Sequence, residues 1–212
     1  MKNRKIIRKK LIEWGENNTD NFPWRKPENL YELIVAEIML IRTPPEQVLP
    51  VYRAFLKKYP NENKLSRENI EMIEDSIKKL GLAWRAERLK KMALFISEHE
   101  LSNEINIKEL KKIPGVGDYT AAAILIYFFK KRAVPVDSNT VRFFERVYNK
   151  EFQGEARRSK DLKQMMDKLI PEEVEKSLKF NEAFLDFMRK ICKPENKCCK
   201  KCILADICMH VK

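Results

Sequence analysis

The sequence predicts an all-α protein, and three observations support that prediction. Apolar side chains recur at helical spacing in most segments, for example in residues 4–16 and 66–80. Pro, Gly and Asn stand between these segments, where they are typical of helix starts, helix ends and tight turns. The chain contains no convincing strand, no internal repeat and no low-complexity linker.

Composition indicates a folded protein with a polyanionic partner. The 212 residues are 44% hydrophobic and 35% charged, which suits one large domain or two small lobes with a real core. The net charge is +12. Such an excess favours a nucleic acid as the partner, and a solvated basic surface without a partner is the alternative.

The sequence shows neither a membrane span nor a signal peptide. The uncharged run at residues 119–129 is shorter than the roughly 18 apolar residues that a span needs. The basic N-terminus has no continuous apolar region of the kind that a signal peptide contains. These features predict a protein of the cytoplasm, where thiols stay reduced.

The first half of the chain predicts helices joined by short turns. Helices are expected over residues 4–16, 30–41, 66–80 and 85–97, and Gly81 is expected to end the third of these. A further helix is expected to start at Thr43, with Pro44 and Pro45 in its first turn and a kink at Pro50. The helix at 85–97 has a predicted basic face, formed by Arg85, Arg88, Lys90 and Lys91.

A glycine turn divides the middle of the chain. Asn106 is the predicted N-cap of a short helix with Glu109 at its third position. Gly115 and Gly117 follow, and then a buried helix over residues 119–129. Bare amides at such a turn, beside a helix N-terminus, form an anion site. The alternative is an ordinary corner between two helices that uses glycine for steric reasons.

The last third of the chain predicts further helices after the basic patch at residues 130–132. Residues 133–140 are extended and lead into a helix that ends near Tyr148, with Asp137 well placed as its N-cap. Further helices are expected over residues 159–170, 171–178 and 179–191.

Glu37 lies in a helix that is apolar nearly all round. Its neighbours three and four residues away are Leu33, Ile34, Leu40 and Ile41. Burial among such side chains is expected to raise the pKa of this carboxyl group, which makes it a candidate functional residue. The alternative is a carboxylate at the rim of the helix that reaches solvent or a basic partner.

All five cysteines lie between residues 192 and 208, which favours a metal centre over a spread disulfide framework. Four of them have the spacing C-x6-C-x2-C-x5-C: Cys192, Cys199, Cys202 and Cys208. Zinc and a 4Fe-4S cluster both take four Cys, and the single C-x2-C pair favours iron–sulfur. Cys198 is interpreted as a spare thiol, and the basic loop suggests a structural role for the centre.

Three features together resemble the endonuclease III superfamily of helix-hairpin-helix DNA glycosylases. They are the sequence from Ile113 to Ala121, the loop from Val134 to Asp137, and the four-cysteine tail. The resemblance implies two helical lobes with a DNA cleft between them. It places a six-helix barrel at residues 26–132, with the hairpin at about 107–129, and an iron–sulfur domain at 1–25 and 133–212.

Two further segments resemble the mismatch-specific branch, which contains MutY and the archaeal-type thymine/uracil glycosylases. They are Phe22-Pro-Trp-Arg25 and Ala36-Glu-Ile-Met-Leu40. Ile41-Arg42-Thr43 is closer to the Arg-Arg-Thr of the thymine enzymes than to the Gln-Gln-Thr of MutY. The sequence ends four residues after Cys208, so MutY's additional C-terminal domain is expected to be absent. Thymine or uracil opposite guanine is therefore the favoured substrate.

The resemblance also implies roles for single residues. Asp137 would stabilise the sugar cation, Glu37 would act as general acid or position water, and Tyr119 and Asn139 would line the pocket. Tyr119 stands where endonuclease III has its Schiff-base Lys, so a monofunctional enzyme is expected. The implied DNA contacts are the hairpin residues Gly115, Val116, Gly117 and Thr120, with a monovalent cation on the hairpin carbonyls. Arg42 and Leu82 are the candidate wedges, with Trp84 nearby.

The implied partner is double-stranded DNA with a mismatched or damaged base, bound by a monomeric, nucleoid-associated protein of prokaryotic or archaeal type. Four alternatives stay open on the sequence. They are a MutY-like adenine glycosylase, an endonuclease III-like glycosylase with AP-lyase activity, a non-catalytic hairpin module that binds DNA, and a small ferredoxin-like electron carrier.

Overall fold

A computed structural model describes residues 2–99, 105–195 and 198–211. These residues form helices and turns and contain no β-strand, which confirms the predicted all-α class. The α-helices are α1 (Arg4–Asn18), α2 (Leu30–Leu40), α3 (Pro45–Lys58), α4 (Glu62–Ser66), α5 (Ile70–Ile77), α6 (Trp84–Glu98), α7 (Ile107–Leu110), α8 (Asp118–Tyr127), α9 (Ser138–Tyr148), α10 (Lys160–Leu169) and α11 (Val174–Lys190). Short 3-10 helices span Pro23–Arg25, Lys78–Leu80, Ala156–Arg158 and Cys199–Lys201.

The chain divides into two compact units. The central unit is Phe22–Phe129, and the terminal unit joins Met1–Asn21 to Lys130–Lys212. The domain bounds expected from the sequence, 26–132 against the remainder, stay a prediction.

Helix α2 is the centre of the central unit. Nine of its eleven residues are buried, and it contacts α3, α6 and α8. Helix α8 is buried from Thr120 to Tyr127, so the two most apolar helices of this unit lie against each other. Burial on all sides explains why both sequences are apolar nearly all round rather than amphipathic.

The terminal unit is built on the close approach of α1 and α11. A side chain at Gly15 would place its Cβ 2.5 Å from Cβ of Ala183, so glycine is required for this contact. Beside it lies an aromatic core, which includes Phe143, Phe144, Phe180, Phe184 and Phe187. This core fixes α9 and α11, the two helices that lead to the predicted catalytic loop and the cysteines.

Three predictions about helices are wrong. The helix expected over 66–80 begins only at Ile70, because the backbone of Asn69 is extended, and its last three residues, Lys78–Leu80, form a 3-10 helix. Before it lies the separate short helix α4, which Asn61 caps by accepting from the Lys64 amide at 2.9 Å. The helices expected at 171–178 and 179–191 are the single helix α11, which has no Gly or Pro to break it. Arg85 does not belong to a basic face, since it is fully buried.

No helix among the described residues is both long and apolar enough to cross a membrane.

Candidate functional site

The glycine turn forms a compact hairpin between α7 and α8. Asn106 caps α7 through Oδ1, which accepts from the amides of Lys108 at 2.8 Å and Glu109 at 3.2 Å. The Val116 amide donates to the Ile113 carbonyl at 3.0 Å and closes the turn. The predicted succession of short helix, tight turn and buried helix is therefore confirmed.

The two hairpin glycines have different reasons to be glycine. Gly115 has φ +89°, and an added Cβ would lie 3.3 Å from Cδ1 of Ile38 and 3.4 Å from the Arg88 side chain. Gly117 is extended, with φ −95° and ψ −174°, and an added Cβ would meet nothing within 4 Å. Folding thus requires glycine at 115 but not at 117, where the missing side chain leaves open space beside the N-terminus of α8.

Glu37 and Tyr119 lie on contacting helices of the central unit. Glu37 is 6% exposed, so its side chain is buried rather than open to solvent. Tyr119 is half-buried in the first turn of α8, which packs against α2. The predicted rise in the pKa of Glu37 stays a prediction.

Two exposed loops of the central unit hold the candidate wedges. Arg42 has φ +57° and Leu82 has φ +58°, conformations that are uncommon for residues other than glycine. Leu82 and Trp84 are each 37% exposed. The guanidinium carbon of Arg88 lies 4.4 Å from the centre of the Trp84 ring, a cation–π contact that orders this surface.

Asp137 is held on both carboxylate oxygens. It is the N-cap of α9, and its Oδ1 accepts from the Thr140 amide at 2.9 Å and from the Thr140 hydroxyl at 3.0 Å. Its Oδ2 accepts from Nδ2 of Asn139 at 2.5 Å. The predicted cap is confirmed, and it leaves a half-buried carboxylate in one fixed orientation.

Helix α9 connects this carboxylate to the cysteine loop. Arg142 donates from Nη2 to Oδ1 of Asn139 at 2.8 Å and from Nε to the carbonyl oxygen of Cys192 at 2.9 Å. Burial lowers the pKa of the Arg142 guanidinium from its high ordinary value. One turn further, Arg146 donates to the carbonyls of Lys193 at 2.6 Å and Pro194 at 2.9 Å.

The four predicted ligand cysteines line one cavity. Its wall contains Cys192, Cys199, Cys202, Cys208, Arg146, Ile191, His210 and Val211. Burial raises the pKa of the Cys202 and Cys208 thiols. Cys198 does not line the cavity, and its interpretation as a spare thiol stays a prediction.

Among the described residues, no three Cys, His, Asp or Glu side chains are placed to hold one metal ion. Four Cys thiolates are the donor set that both zinc and a 4Fe-4S cluster take.

The structure therefore places the predicted residues in two groups. Glu37, Tyr119, the hairpin and the wedge candidates belong to the central unit, whereas Asp137, Asn139 and the cysteines belong to the terminal unit.

Sequence reasoning missed Arg142, Arg146 and the buried position of Arg85. The signal for the first two was their spacing, since residues 139, 142 and 146 share one face of a helix. The spacing of the basic residues in 85–91 wrongly predicted that Arg85 lies on a basic helix face.

Comparison with known proteins agrees with this description. The model of the HhH-GPD superfamily base excision DNA repair proteins matches residues 35–172. The thymine/uracil-DNA glycosylase of Methanothermobacter thermautotrophicus is 31% identical over 211 residues, 99% of this chain and 95% of that protein. The thymine/uracil-DNA glycosylase of Pyrobaculum aerophilum is 33% identical over 209 residues, 94% of this chain and 89% of that protein.

A solved structure extends the likeness to three dimensions. The structure of a thermostable thymine-DNA glycosylase matches with a TM-score of 0.87 and 30% identity, covering 99% of this chain and 97% of that one. These findings confirm the predicted resemblance, the helical fold and DNA as the partner. The chain belongs to the HhH-GPD superfamily of base excision DNA repair proteins.

Proposed function

We propose that the protein is a monofunctional DNA glycosylase that removes thymine or uracil opposite guanine by hydrolysis and leaves an abasic site. The observation that carries this proposal is the Asp137 carboxylate, which is fixed on both oxygens yet only half-buried. A carboxylate fixed in advance can stabilise positive charge that develops on a sugar without reorganising during the reaction.

The hairpin supports a role in holding the DNA backbone. Gly117 has neither a positive φ nor a neighbour that would exclude a side chain. A close approach by a partner explains a glycine there, and a phosphate beside the first amides of α8 is such a partner. A base in duplex DNA must leave the stack before its glycosidic bond can be reached, so a held backbone beside the target base serves the reaction. A monovalent cation on the hairpin carbonyls is part of the proposal.

The two carboxyl groups have contrasting surroundings, which suits a division of roles. Glu37 is 6% exposed within an apolar helix, whereas Asp137 is half-buried and accepts three hydrogen bonds. Cleavage of the glycosidic bond gives the sugar oxocarbenium character. We assign Asp137 to stabilising this cation, and Glu37 to proton donation or to positioning water.

Tyr119 and Asn139 complete the assignment. Tyr119 offers a phenol at the first turn of α8, where a lyase of this family would offer an amine. Without an amine no imine can form with the sugar, so hydrolysis is the expected reaction. Asn139 donates to Oδ2 of Asp137 at 2.5 Å and thereby orients the carboxylate, besides lining the pocket.

The base specificity rests on similarity and on one loop. The two relatives described above are thymine/uracil-DNA glycosylases, and the matched structure is a thymine-DNA glycosylase. Arg42-Thr43 follows the pattern of such enzymes rather than that of MutY. A substrate of this kind lies in the chromosome, which supports a nucleoid-associated protein as part of the proposal.

We further propose that Cys192, Cys199, Cys202 and Cys208 hold a 4Fe-4S cluster. The four thiols line one cavity, and Arg146 ties the loop beside Cys192 to α9. When bound, the cluster supplies a rigid cross-link of the loop, and its role in the proposal is structural.

A panel of duplexes tests the proposed activity. Each duplex carries one pair, either G·T, G·U, A·G, A·8-oxoguanine or an oxidised pyrimidine, and release of the base is scored with and without alkali. We expect release from G·T and G·U, with strand breaks only after alkali. Release of adenine alone would show that the MutY-like alternative is correct, and no release from any duplex would leave a module that only binds DNA.

A further inference from the structure

The side chain of Arg85 joins the two loops that carry the candidate wedges. Its Nη1 donates to the carbonyls of Leu80 at 2.8 Å and Gly81 at 3.1 Å. Its Nη2 donates to the hydroxyl of Thr43 at 2.7 Å and to the carbonyl of Ile41. Nη1 therefore binds the loop that contains Leu82, and Nη2 binds the loop that contains Arg42.

The acceptors are placed next to the two strained residues. The Ile41 carbonyl belongs to the peptide that precedes Arg42, and the Gly81 carbonyl belongs to the peptide that precedes Leu82. Backbone strain of this kind costs stability and persists only where the surroundings enforce it. The guanidinium is the group in contact with both peptides.

Burying the side chain of Arg85 between the two loops costs folding stability. It is fully buried, and among the described residues it forms no ion pair and its Nε finds no acceptor. Burial lowers the pKa of this guanidinium. A buried cation without a carboxylate partner lowers the stability of the fold. Neutral groups would bridge the two loops with a smaller loss of stability if the bridge were purely structural.

We propose that Arg85 is a positioning residue, which holds Arg42 and Leu82 in the conformations that let them enter the base stack when the target base leaves it. This inference rests on the proposed glycosylase activity. Side chains inserted into a base stack must meet the cost of unstacking. Loops that are already fixed avoid the further cost of ordering during insertion.

Arg85→Lys tests the role, because a single ammonium group keeps the charge but cannot serve both loops as a planar fork does. The measurement is the single-turnover rate of uracil release from two duplexes. In one, uracil is paired with guanine, and in the other it faces a tetrahydrofuran abasic analogue, so no pair has to be opened. We expect about a 10- to 100-fold loss on the first duplex and less than about threefold on the second.

A test for additivity separates positioning from general damage. If Arg85 acts through the wedges, Arg85→Lys adds little loss on the G·U duplex once Arg42 and Leu82 are both alanine. Equal losses on both duplexes, or full additivity with the alanine pair, would overturn the proposal. So would an unchanged rate.

Thr43→Val supplies a second variant in case Arg85→Lys does not fold. It removes one acceptor of Nη2 with little change of shape, and the loss should be smaller and again confined to the G·U duplex. A loss shared equally by the two duplexes, or no loss on either, would overturn the role of Arg85. A wild-type protein that releases no uracil from either duplex would instead refute the proposed function.

Discussion

Nε of Arg142 donates to the carbonyl oxygen of Cys192 at 2.9 Å, and Nη2 of the same side chain donates to Asn139 at 2.8 Å. Asn139 in turn donates to Asp137 at 2.5 Å. A chain of three hydrogen bonds therefore links the first cysteine of the predicted cluster to the predicted catalytic carboxylate. The carboxylate to which Thr140 donates is thus also connected to the loop that begins at Cys192.

Arg142→Lys should slow base release by about tenfold, because a lysine cannot donate to Asn139 and Cys192 together. The measurement is the single-turnover rate on a G·U duplex, with absorbance near 400 nm recorded to show that the cluster is retained. Arg157→Lys, an exposed site in the same unit, is the matched control and should behave as wild type. A normal rate for Arg142→Lys, or a loss that only follows loss of the absorbance, would contradict the proposed link.

The two hairpin glycines should separate stability from DNA binding. Gly115→Ala should destabilise the protein by about 1–2 kcal/mol, since alanine at φ +89° is strained. Gly117→Ala should leave the melting temperature nearly unchanged, because its site is extended and open. It should nevertheless weaken duplex binding about tenfold if a phosphate approaches this amide closely.

Thermal melting and duplex titration at one fixed salt concentration measure both effects. The assignment of the hairpin fails if Gly117→Ala binds DNA like wild type. It also fails if the affinity lost by Gly117→Ala can be explained by a lower melting temperature.

Glu37→Gln should abolish proton donation or water positioning while preserving shape. We expect base release to fall by about 10²–10⁴-fold, the range for loss of a general acid or base. The melting temperature should change little, because glutamine keeps the size of the buried side chain and an oxygen that can accept hydrogen bonds. Near-normal release by a folded Glu37→Gln would exclude Glu37 from the chemistry.

Tyr119→Lys should give the protein a lyase activity that the wild type lacks. Borohydride reduction traps an imine between an amine and the abasic sugar as a covalent protein–DNA adduct. We expect this adduct with Tyr119→Lys and none with wild type, and Tyr119→Phe serves as the control that adds no amine. An adduct formed by the wild-type protein would refute the monofunctional assignment.

Much of the fold could be predicted, because local chemistry decides it. Asn106 and Asp137 cap helices as their side chains and positions suggested. The boundaries within 62–80 could not be predicted, since two asparagine starts, after 61 and after 69, interrupt a continuous apolar period. Two helices were predicted where the structure has the single helix α11, although its sequence contains no Gly or Pro to interrupt it.

Motifs suggest Glu37, Asp137 and the cysteines as site residues, because chemistry restricts the residue types at such positions, and their roles stay predictions. The hydrogen bonds that connect the candidate residues were not predicted. The contacts of Arg85 and Arg142 could not be predicted, because each side chain binds a backbone carbonyl that is distant in the sequence. Every residue has a backbone carbonyl, so the sequence does not indicate which one will be the partner. Arg85, which was expected on the basic face of a helix, is buried because its hydrogen-bond partners are such carbonyls.

The most direct test of the central claim compares wild type with Asp137→Asn on one G·T duplex under single-turnover conditions. Asparagine is also a good N-cap, so the variant should fold normally and lose only the charge. We expect wild type to release free thymine and to leave a strand that breaks only after alkali, and we expect Asp137→Asn to be slower by at least about 10²-fold. Thymine release by Asp137→Asn at the wild-type rate would contradict the role of Asp137 in stabilising the sugar cation.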